Sequence, residues 1–348
     1  MTQAQLHAHD TSAMASPRRG EAGTQRRSGH IGLGVLKSAG PIVSLLAMVL
    51  VFASLTPNFV SAANLQAILE SAAVPAVVAI GMTFVLVQGS IDLSGEGVAS
   101  LANILLSILI ANSVTAHDLG AGAIVVALAA GLAVGALNGT LYAYLRMPSL
   151  IVTLAMWLIT LGLAALLFPS RQPQILDGGF VGLALHKHLG LSALVYLAVA
   201  LAFVAFIVER RTKLGRIGFA IGADEALVRL AGVNVNVYKV GAFAICGCLT
   251  GLAGILTAAQ IGVGNPLAGE GLLFPGIAAC VIGGTLLSGG RGGVLHSLVG
   301  VLVLVTLRNG LVQTGANPLL QKAIEGVVIV VAVAASTWHL RRKTRVVK

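Results

Sequence analysis

Hydrophobic residues in this chain fall into ten nearly unbroken runs, separated by polar or Gly- and Pro-rich connections. The runs do not alternate between apolar and polar positions, and most approach the roughly 20 residues that a helix needs to cross a bilayer. The predicted segments cover about residues 40–56, 72–88, 93–113, 120–145, 149–168, 190–208, 238–260, 274–286, 293–308 and 319–338. The pattern predicts an all-α polytopic membrane protein with about 10 transmembrane helices.

Glycine interrupts two of these segments. Val85–Gly95 reads VLVQGSIDLSG, and Val281–Gly290 reads VIGGTLLSGG, so each apolar run stops at Gly and resumes at Leu-Ser-Gly. Non-helical backbone at membrane depth is possible only where protein or water covers it. The pattern therefore predicts broken or re-entrant Gly-rich segments, and it hints at an internal repeat of the kind found in transporters.

Composition supports a membrane protein and excludes a nucleic-acid-binding one. Hydrophobic residues make up 57% of the 348 residues and charged residues only 10%, with a mean hydropathy of +0.94, whereas soluble domains carry about 25% charged residues. The net charge of +10 arises from the two ends and one central loop, as a bias of basic residues to the cytoplasmic side produces. From this composition we expect the protein to lie in a lipid bilayer and not to bind nucleic acid.

The basic regions divide the chain. Residues 1–38 are predicted to be a disordered basic cytoplasmic tail, residues 39–338 a transmembrane domain, and residues 339–348 a second basic cytoplasmic tail. Six predicted segments precede the charged loop 209–239 and four follow it. Both numbers are even, so both termini and this loop are predicted to lie on the cytoplasmic side.

The charged loop 209–239 contains a predicted short helix from Asp224 to about Leu230. Acidic residues in its first turn and Arg229 near its end match the helix dipole. A short exposed helix joined to two membrane spans suits the transmission of force from a partner protein.

Polar residues beside or within the apolar runs are candidates for a translocation path, because carboxylates and amides at membrane depth are costly. Asp92 either caps a helix starting near Leu93 or contacts a solute directly, and both readings stay open. The path candidates are Gln88, Asp92, Glu96, Asn103, Asn138 and Thr153.

Sequence motifs of catalysis are missing: there is no GxxxxGK[ST] loop, no HExxH and no GxSxG. We therefore expect no enzyme activity, no cofactor and no metal site. Gly- and Pro-rich outer connections at 169–189 and 261–271 are predicted to be loops that face incoming cargo.

At this point the sequence resembles the permease subunits of ribose-, xylose- and arabinose-type ATP-binding-cassette (ABC) importers. The resemblance runs from about residue 57 to 336. The motifs that carry it are PNFVSAANLQAIL at 57–69, PAVVAIGMTFVLVQGSIDLSGEGV at 75–98, NGTLYAYLRMPSLIVTL at 138–154, TKLGRIGFAIGADEALVRLAGVNV at 212–235 and GIAACVIGGTLLSGGRGGVLHSLVG at 276–300.

The resemblance implies a bacterial inner (plasma) membrane permease for a monosaccharide or similar polar solute. It implies three protein partners: a cytoplasmic ABC ATPase that hydrolyses ATP, an extracellular or periplasmic solute-binding protein, and a second permease, identical or different. The loop at 212–235 matches the family's coupling region. The implied ATPase-coupling residues are Gly215, Arg216, Asp224, Glu225, Ala226 and Arg229.

Two departures from the family pattern put the solute in doubt. The family commonly has GGIDLSVGS where this chain has GSIDLSGEG, and it commonly has Glu-Leu-Asp where this chain has Leu273, Phe274 and Pro275. A branched-chain amino-acid or nucleoside ABC permease remains an alternative. A stand-alone secondary transporter or channel is a rival of another class, but it needs a relay of charged residues across several spans, and Asp92, Glu96 and Glu325 are too few.

Overall fold

The computed structural model describes residues 40–337, so both predicted basic tails lie outside the described residues. Thirteen helices and one two-stranded hairpin form within this range. The helices are α1 (Gly40–Leu55), α2 (Ala62–Val87), α3 (Gly95–Leu109), α4 (Ala121–Ala143), α5 (Ser149–Leu167), α6 (Gly178–Leu185), α7 (Ala193–Arg211), α8 (Lys213–Ala223), α9 (Glu225–Leu230), α10 (Val235–Ile261), α11 (Leu273–Gly283), α12 (Val294–Gln313) and α13 (Pro318–Thr337); the strands are β1 (Lys187–His188) and β2 (Leu191–Ser192).

Every predicted apolar segment is a helix, but not every helix is long enough to cross a membrane alone. Six described helices, α2, α4, α5, α7, α10 and α12, are long and apolar enough to span. Helices α1, α3 and α11 are apolar but shorter. The chain is thus a multi-pass helical protein in which α3 and α11 are discontinuous, as the glycine interruptions predict.

Two boundaries predicted from the sequence are wrong. The second helix starts at Ala62, ten residues before the expected start, because Ser61 caps it by accepting a hydrogen bond from the Asn64 N–H. The connection 169–189 is not only a loop: Asp177 caps α6 there through the Phe180 N–H. In both places a capping side chain starts a helix where the composition alone indicated a connection.

Helices α2 and α10 form the centre of the bundle, and glycines let α10 approach α4 closely. A side-chain carbon added at Gly247 would collide with the backbone carbonyl of Gly131, and one added at Gly131 would lie 2.5 Å from the Gly247 carbonyl oxygen. Small residues permit such backbone contact between helices in lipid, where no hydrophobic effect drives association. Burial of α2 is correspondingly deep: Val77 to Ile80 have no exposed surface.

Substitution of Gly247 by Ala should destabilise the fold. Overpacking at this contact is expected to lower the free energy of unfolding by about 1–3 kcal/mol, and the thermal melting temperature of the detergent-solubilised protein reports it. Gly162→Ala is the matched control, because nothing lies within 4 Å of a side-chain carbon built there. Equal melting temperatures for the two variants would contradict the close-packing interpretation.

The two glycine interruptions meet each other. Residues 88–94 connect α2 to α3, and residues 284–293 connect α11 to α12. The Gly290 N–H donates to the Val87 carbonyl oxygen at 2.8 Å, and a side-chain carbon at Gly89 would lie 3.0 Å from the Ser288 carbonyl oxygen. The two stretches that echo one another in sequence therefore form one junction.

Candidate functional site

Helices α8 and α9 form the charged loop and expose the residues expected to bind a partner. Arg216, Asp224, Ala226 and Arg229 are exposed, whereas Gly215 is buried. The predicted short helix is confirmed: Asp224 is its N-cap, and its carboxylate accepts a hydrogen bond from the Leu227 N–H at 3.1 Å. The Gly215 backbone packs against the Glu209 carbonyl, which leaves no room for a side chain where α7 turns into α8.

Glu225 holds α9 to the start of α10. Its carboxylate receives Arg229 from the next turn at 2.7 Å and Lys239 of α10 at 2.7 Å. The Lys239 side chain is only 7% exposed, and its Nζ lies 4.5 Å from the centroid of the Tyr142 ring. The buried Lys239 ammonium needs its contacts with Glu225 and Tyr142, because an unpaired ammonium in the interior is costly.

The Lys239 contacts continue inward to the first interruption. The Tyr142 hydroxyl accepts a hydrogen bond from Ser90 Oγ at 2.9 Å. Ser90 belongs to residues 88–94, so polar contacts run without a gap from the exposed helix α9 to the broken segment between α2 and α3.

Acidification should loosen the attachment of α9. Partial burial by itself raises the pKa of Glu225, but hydrogen bonds from Lys239 and Arg229 outweigh it and hold the pKa below the ordinary value of 4.5. The ion pairs therefore stabilise the fold above that value, and the contribution is lost as the pH falls through the lower folded pKa. Wild type should have a higher melting temperature than Glu225→Gln at neutral pH, and this difference should disappear below pH 4.5. A difference in melting temperature that grows on acidification would refute this.

Helix α8 touches both interruptions at once. The Gly222 Cα faces the Val87 carbonyl and the Gly290 N–H so closely that a side chain would collide with both. The Gln88 side chain lies beside Gly218 and donates to the Tyr238 carbonyl oxygen at 3.1 Å. A displacement of α8 must therefore disturb the contacts of residues 88–94 and of residues 284–293 at the same time.

Glu209, near the end of α7, attaches that helix to the start of α12. Its carboxylate accepts a hydrogen bond from the Val294 N–H at 2.5 Å, at the N-terminus of α12. Gly293, with φ of 139°, lets the backbone pass beside that carboxylate. A carboxylate at a helix N-terminus is favourable because it meets free N–H groups and the positive end of the helix dipole, so the end of α7 is fixed to α12.

Three polar residues form one buried network near the interrupted segment. Asp92 is 1% exposed and accepts hydrogen bonds from the backbone N–H of Ser94 at 2.9 Å and from its Oγ at 2.6 Å. Asn138 of α4 donates to Ser94 Oγ at 2.9 Å, and its buried Oδ1 has no partner among the described residues. The expected cap on a helix starting near Leu93 is wrong in detail, because Ser94 is the N-cap and α3 begins at Gly95.

Glu96, Ser100 and Asn103 lie along one face of α3 and hold the connection 261–271 to the bundle. Glu96 Oε1 accepts from the Gly271 N–H at 3.0 Å and the Leu273 N–H at 3.4 Å. Ser100 Oγ accepts from the Gly269 N–H, and Asn103 Oδ1 accepts from the Asn265 N–H. The connection at 261–271 therefore runs along α3, and Glu96 contacts the start of α11.

The six path candidates do not share one surface. Asp92 and Asn138 belong to the Ser94 network, Glu96 and Asn103 bind the connection 261–271, and Gln88 faces α8. Thr153 is fully buried and donates to the Ser149 carbonyl of its own helix at 2.9 Å. A role for these residues in a path stays a prediction, with Glu96 alone among them lining a large cavity.

Two features of the loop escaped the sequence analysis. Leu227 and Leu230 on α9 are 63% and 83% exposed and present apolar surface beside the charges. In the sequence Lys239 is only the last residue of the charged loop 209–239, whereas in the structure it is the buried partner of Glu225. The exposed leucines follow from helical spacing at i and i+3, but the burial of Lys239 depends on Tyr142, almost 100 residues away.

Comparison with known proteins places these sites in context. The sequence profile described as "Branched-chain amino acid transport system / permease component" matches residues 64–333. No solved structure gives a significant match.

Three relatives illustrate the similarity. The ribose import permease protein RbsC of Escherichia coli K12 is 34% identical over 299 residues, covering 84% of this chain and 91% of that protein. RbsC of Bacillus subtilis 168 is 32% identical over 303 residues, covering 86% and 92%. The L-arabinose transport system permease protein AraH of Escherichia coli K12 is 30% identical over 307 residues, covering 88% and 92%.

Proposed function

This chain belongs to the permease-component family of ABC importers, and from that premise we propose that it conducts a monosaccharide across the inner membrane while α8 and α9 transmit the work of a separate ATPase. The chain is the transport subunit of such an importer and not its enzyme. The proposal concerns the solute, the coupling residues and the way in which force reaches the path.

The contact of α8 with both interruptions carries the proposal. Gly218 lies beside Gln88 of the first broken segment and Gly222 lies against Gly290 of the second, so a push on α8 moves both segments together. Glu225 fastens α9 to α10 through Lys239. A partner that binds differently in two states shifts the balance between them, and the exposed Leu227, Leu230 and Arg216 give it a mixed apolar and basic surface to bind.

The relatives support a sugar as the solute, since ribose and L-arabinose appear in their names. The family description names branched-chain amino acids, and an amino acid or a nucleoside is the alternative. An extracellular or periplasmic binding protein would deliver the solute to the connections at 169–189 and 261–271. A second permease, identical or different, would complete the path.

The distribution of charge supports the proposed orientation. Basic residues of the loop, including Arg210, Arg211, Lys213 and Arg216, favour the cytoplasmic side, and the proposal puts both termini on that side.

Uptake by cells tests the proposal. A strain lacking this permease, but retaining the ATPase and binding protein encoded for the same importer, should regain uptake of a radiolabelled pentose when the chain is supplied. Collapse of the cellular ATP pool should abolish that uptake. Restored uptake of L-leucine with no uptake of D-ribose, L-arabinose or D-xylose would overturn the sugar assignment.

A further inference from the structure

The hairpin of β1 and β2, at the end of the connection 169–189, has an unusual turn. The strands pair antiparallel with His188 opposite Leu191, so Leu189 and Gly190 form the turn between them. Both residues have positive φ, 51° and 86°, and hairpin turns of this kind favour Asn, Asp or Gly at such positions. A leucine is strained there, because its side-chain carbon lies close to the following carbonyl oxygen. Leu189 is also 95% exposed, so packing within the chain does not explain its presence.

Hydrogen bonds hold this hairpin against two helices of the bundle. The Glu70 carboxylate of α2 accepts hydrogen bonds from the Ser192 N–H at 2.6 Å and from the Ser192 Oγ at 2.5 Å. The Tyr196 hydroxyl of α7 donates to the His188 carbonyl oxygen at 2.7 Å. The exposed leucine is therefore presented by a turn whose strands are fixed on both sides.

The turn lies beside apolar surface that the bundle leaves uncovered. A side-chain carbon built on Gly190 would collide with the side-chain amide of Gln66 on α2. Leu65 and Leu69, one residue before and three residues after Gln66, are 45% and 40% exposed. Helix α2 is long and apolar enough to span the membrane, and lipid tails are as apolar as leucine. The neighbourhood of the turn therefore favours lipid as the surroundings of the leucine.

Helix α7 fixes the depth of the hairpin in the membrane. Strand β2 leads directly into α7, whose 19 residues, Ala193–Arg211, are about 28 Å long at 1.5 Å per residue. That length matches the roughly 30 Å of a bilayer's hydrocarbon core. Exposed Tyr196, Val199 and Phe203 recur at helical spacing along α7, as on a face that meets lipid. Because the other end of α7 enters the charged loop 209–239, the hairpin lies level with the opposite interface, where tyrosine is enriched.

Basic residues precede the exposed leucine and suit phospholipid head groups. His186, Lys187 and His188 are exposed, and none of them makes an ion pair within the described residues. A lysine at a membrane interface keeps its ammonium among the polar groups while its methylene groups cover apolar surface. Segments that lie in the interface combine lysine with leucine in this way. The hairpin is thus complementary to a surface with phosphates above and hydrocarbon below.

We propose that the hairpin is an interfacial membrane anchor in the leaflet opposite the charged loop. Leu189 inserts among the upper parts of the acyl chains, and Lys187 contacts the lipid phosphates. Insertion offsets the strain of the turn, because it removes the leucine from water. Through Tyr196 and Glu70 the anchor holds α7 and α2 at one depth in the bilayer. The end of the connection 169–189 then faces lipid and not incoming cargo, whichever solute the chain conducts.

Tryptophan fluorescence of the full chain in lipid nanodiscs tests the insertion of Leu189. Leu189→Trp keeps an apolar side chain at the same backbone position, and its added emission is the difference from the wild type, which has two tryptophans. Phospholipids brominated on the upper part of their acyl chains should quench most of this added emission, whereas aqueous acrylamide should quench little of it. Leu230→Trp is the matched control, because Leu230 on the charged loop is 83% exposed. Its emission should be quenched by acrylamide and not by brominated lipid.

Lys187→Trp gives a second measurement that leaves the turn itself unchanged. Quenching of its added emission by brominated lipid should lie between the values for Leu189→Trp and Leu230→Trp, as expected for a residue at the level of the phosphates. Both hairpin variants should keep the wild-type melting temperature, because both side chains are exposed.

Two outcomes would overturn the proposal. If folded Leu189→Trp is quenched by acrylamide as strongly as Leu230→Trp and not by brominated lipid, the hairpin lies in water and offers its leucine to a soluble partner. If Leu189→Trp lowers the melting temperature, Lys187→Trp decides the question. Quenching of Lys187→Trp by brominated lipid no stronger than that of Leu230→Trp would then contradict an anchor.

Discussion

Reversal of charge at Glu225 should uncouple ATP hydrolysis from solute uptake. In Glu225→Lys, the new ammonium would face the buried Lys239 in place of its 2.7 Å partner, and like charges with little solvent around them repel strongly. Helix α9 then loses its attachment to α10. We expect uptake to fall about tenfold or more, a coupling change of the size typical for linked sites, with weaker ATPase binding to the permease in detergent.

The charge swap provides the critical control. Glu225→Lys combined with Lys239→Glu restores an opposite pair across the same gap, so part of the uptake should return, and the double-mutant cycle measures the interaction itself. Lys213→Glu reverses an exposed charge on α8 that makes no ion pair within the described residues, and it should have a smaller effect. Normal uptake and ATPase binding in Glu225→Lys would remove α9 from the coupling role.

A bulky side chain at Gly222 should abolish uptake. In Gly222→Leu the side chain would have to enter the space filled by the Val87 carbonyl and the Gly290 N–H, so α8 must shift away from both interruptions. Because that junction joins the two broken segments, we expect at least a tenfold loss of ATP-driven uptake in protein that still reaches the membrane.

Gly162→Leu is the matched control for that substitution, since a side chain built at Gly162 meets open space. Immunoblotting of the membrane fraction should show similar amounts of the two variants, so that a difference in uptake reports transport and not expression. Wild-type uptake by Gly222→Leu would show that contact of α8 with the interruptions is dispensable, and the proposed route of force would fail.

Helix positions could be read from the sequence because long apolar runs between charged connections leave few alternatives. All ten predicted segments are helices, and glycine marks both interruptions in the sequence, with Gly89 in residues 88–94 and five glycines in residues 284–293. The number of spans could not be fixed, because α3 and α11 are apolar but too short to cross alone. The start of α2 was missed because the Ser61 cap outweighs the polar residues of its first turns.

The candidate site was predictable only where the contacts are local. The Asp224 cap and the Glu225–Arg229 pair lie within one turn of helix and follow from spacing. Other contacts join residues far apart in sequence. Lys239 pairs with Glu225 and lies over the Tyr142 ring, and Glu96 accepts hydrogen bonds from Gly271 and Leu273. Such contacts depend on how helices pack, which periodicity does not specify.

Solute accumulation by reconstituted vesicles tests the central claim most directly. Proteoliposomes that hold the permease, its ATPase, ATP on the cytoplasmic side and the binding protein on the other side should accumulate labelled pentose. Vesicles that lack either the ATPase or ATP should only equilibrate or remain empty. Accumulation of the sugar against its gradient by the permease alone would contradict the account, because work would then enter this chain by a route other than α8 and α9.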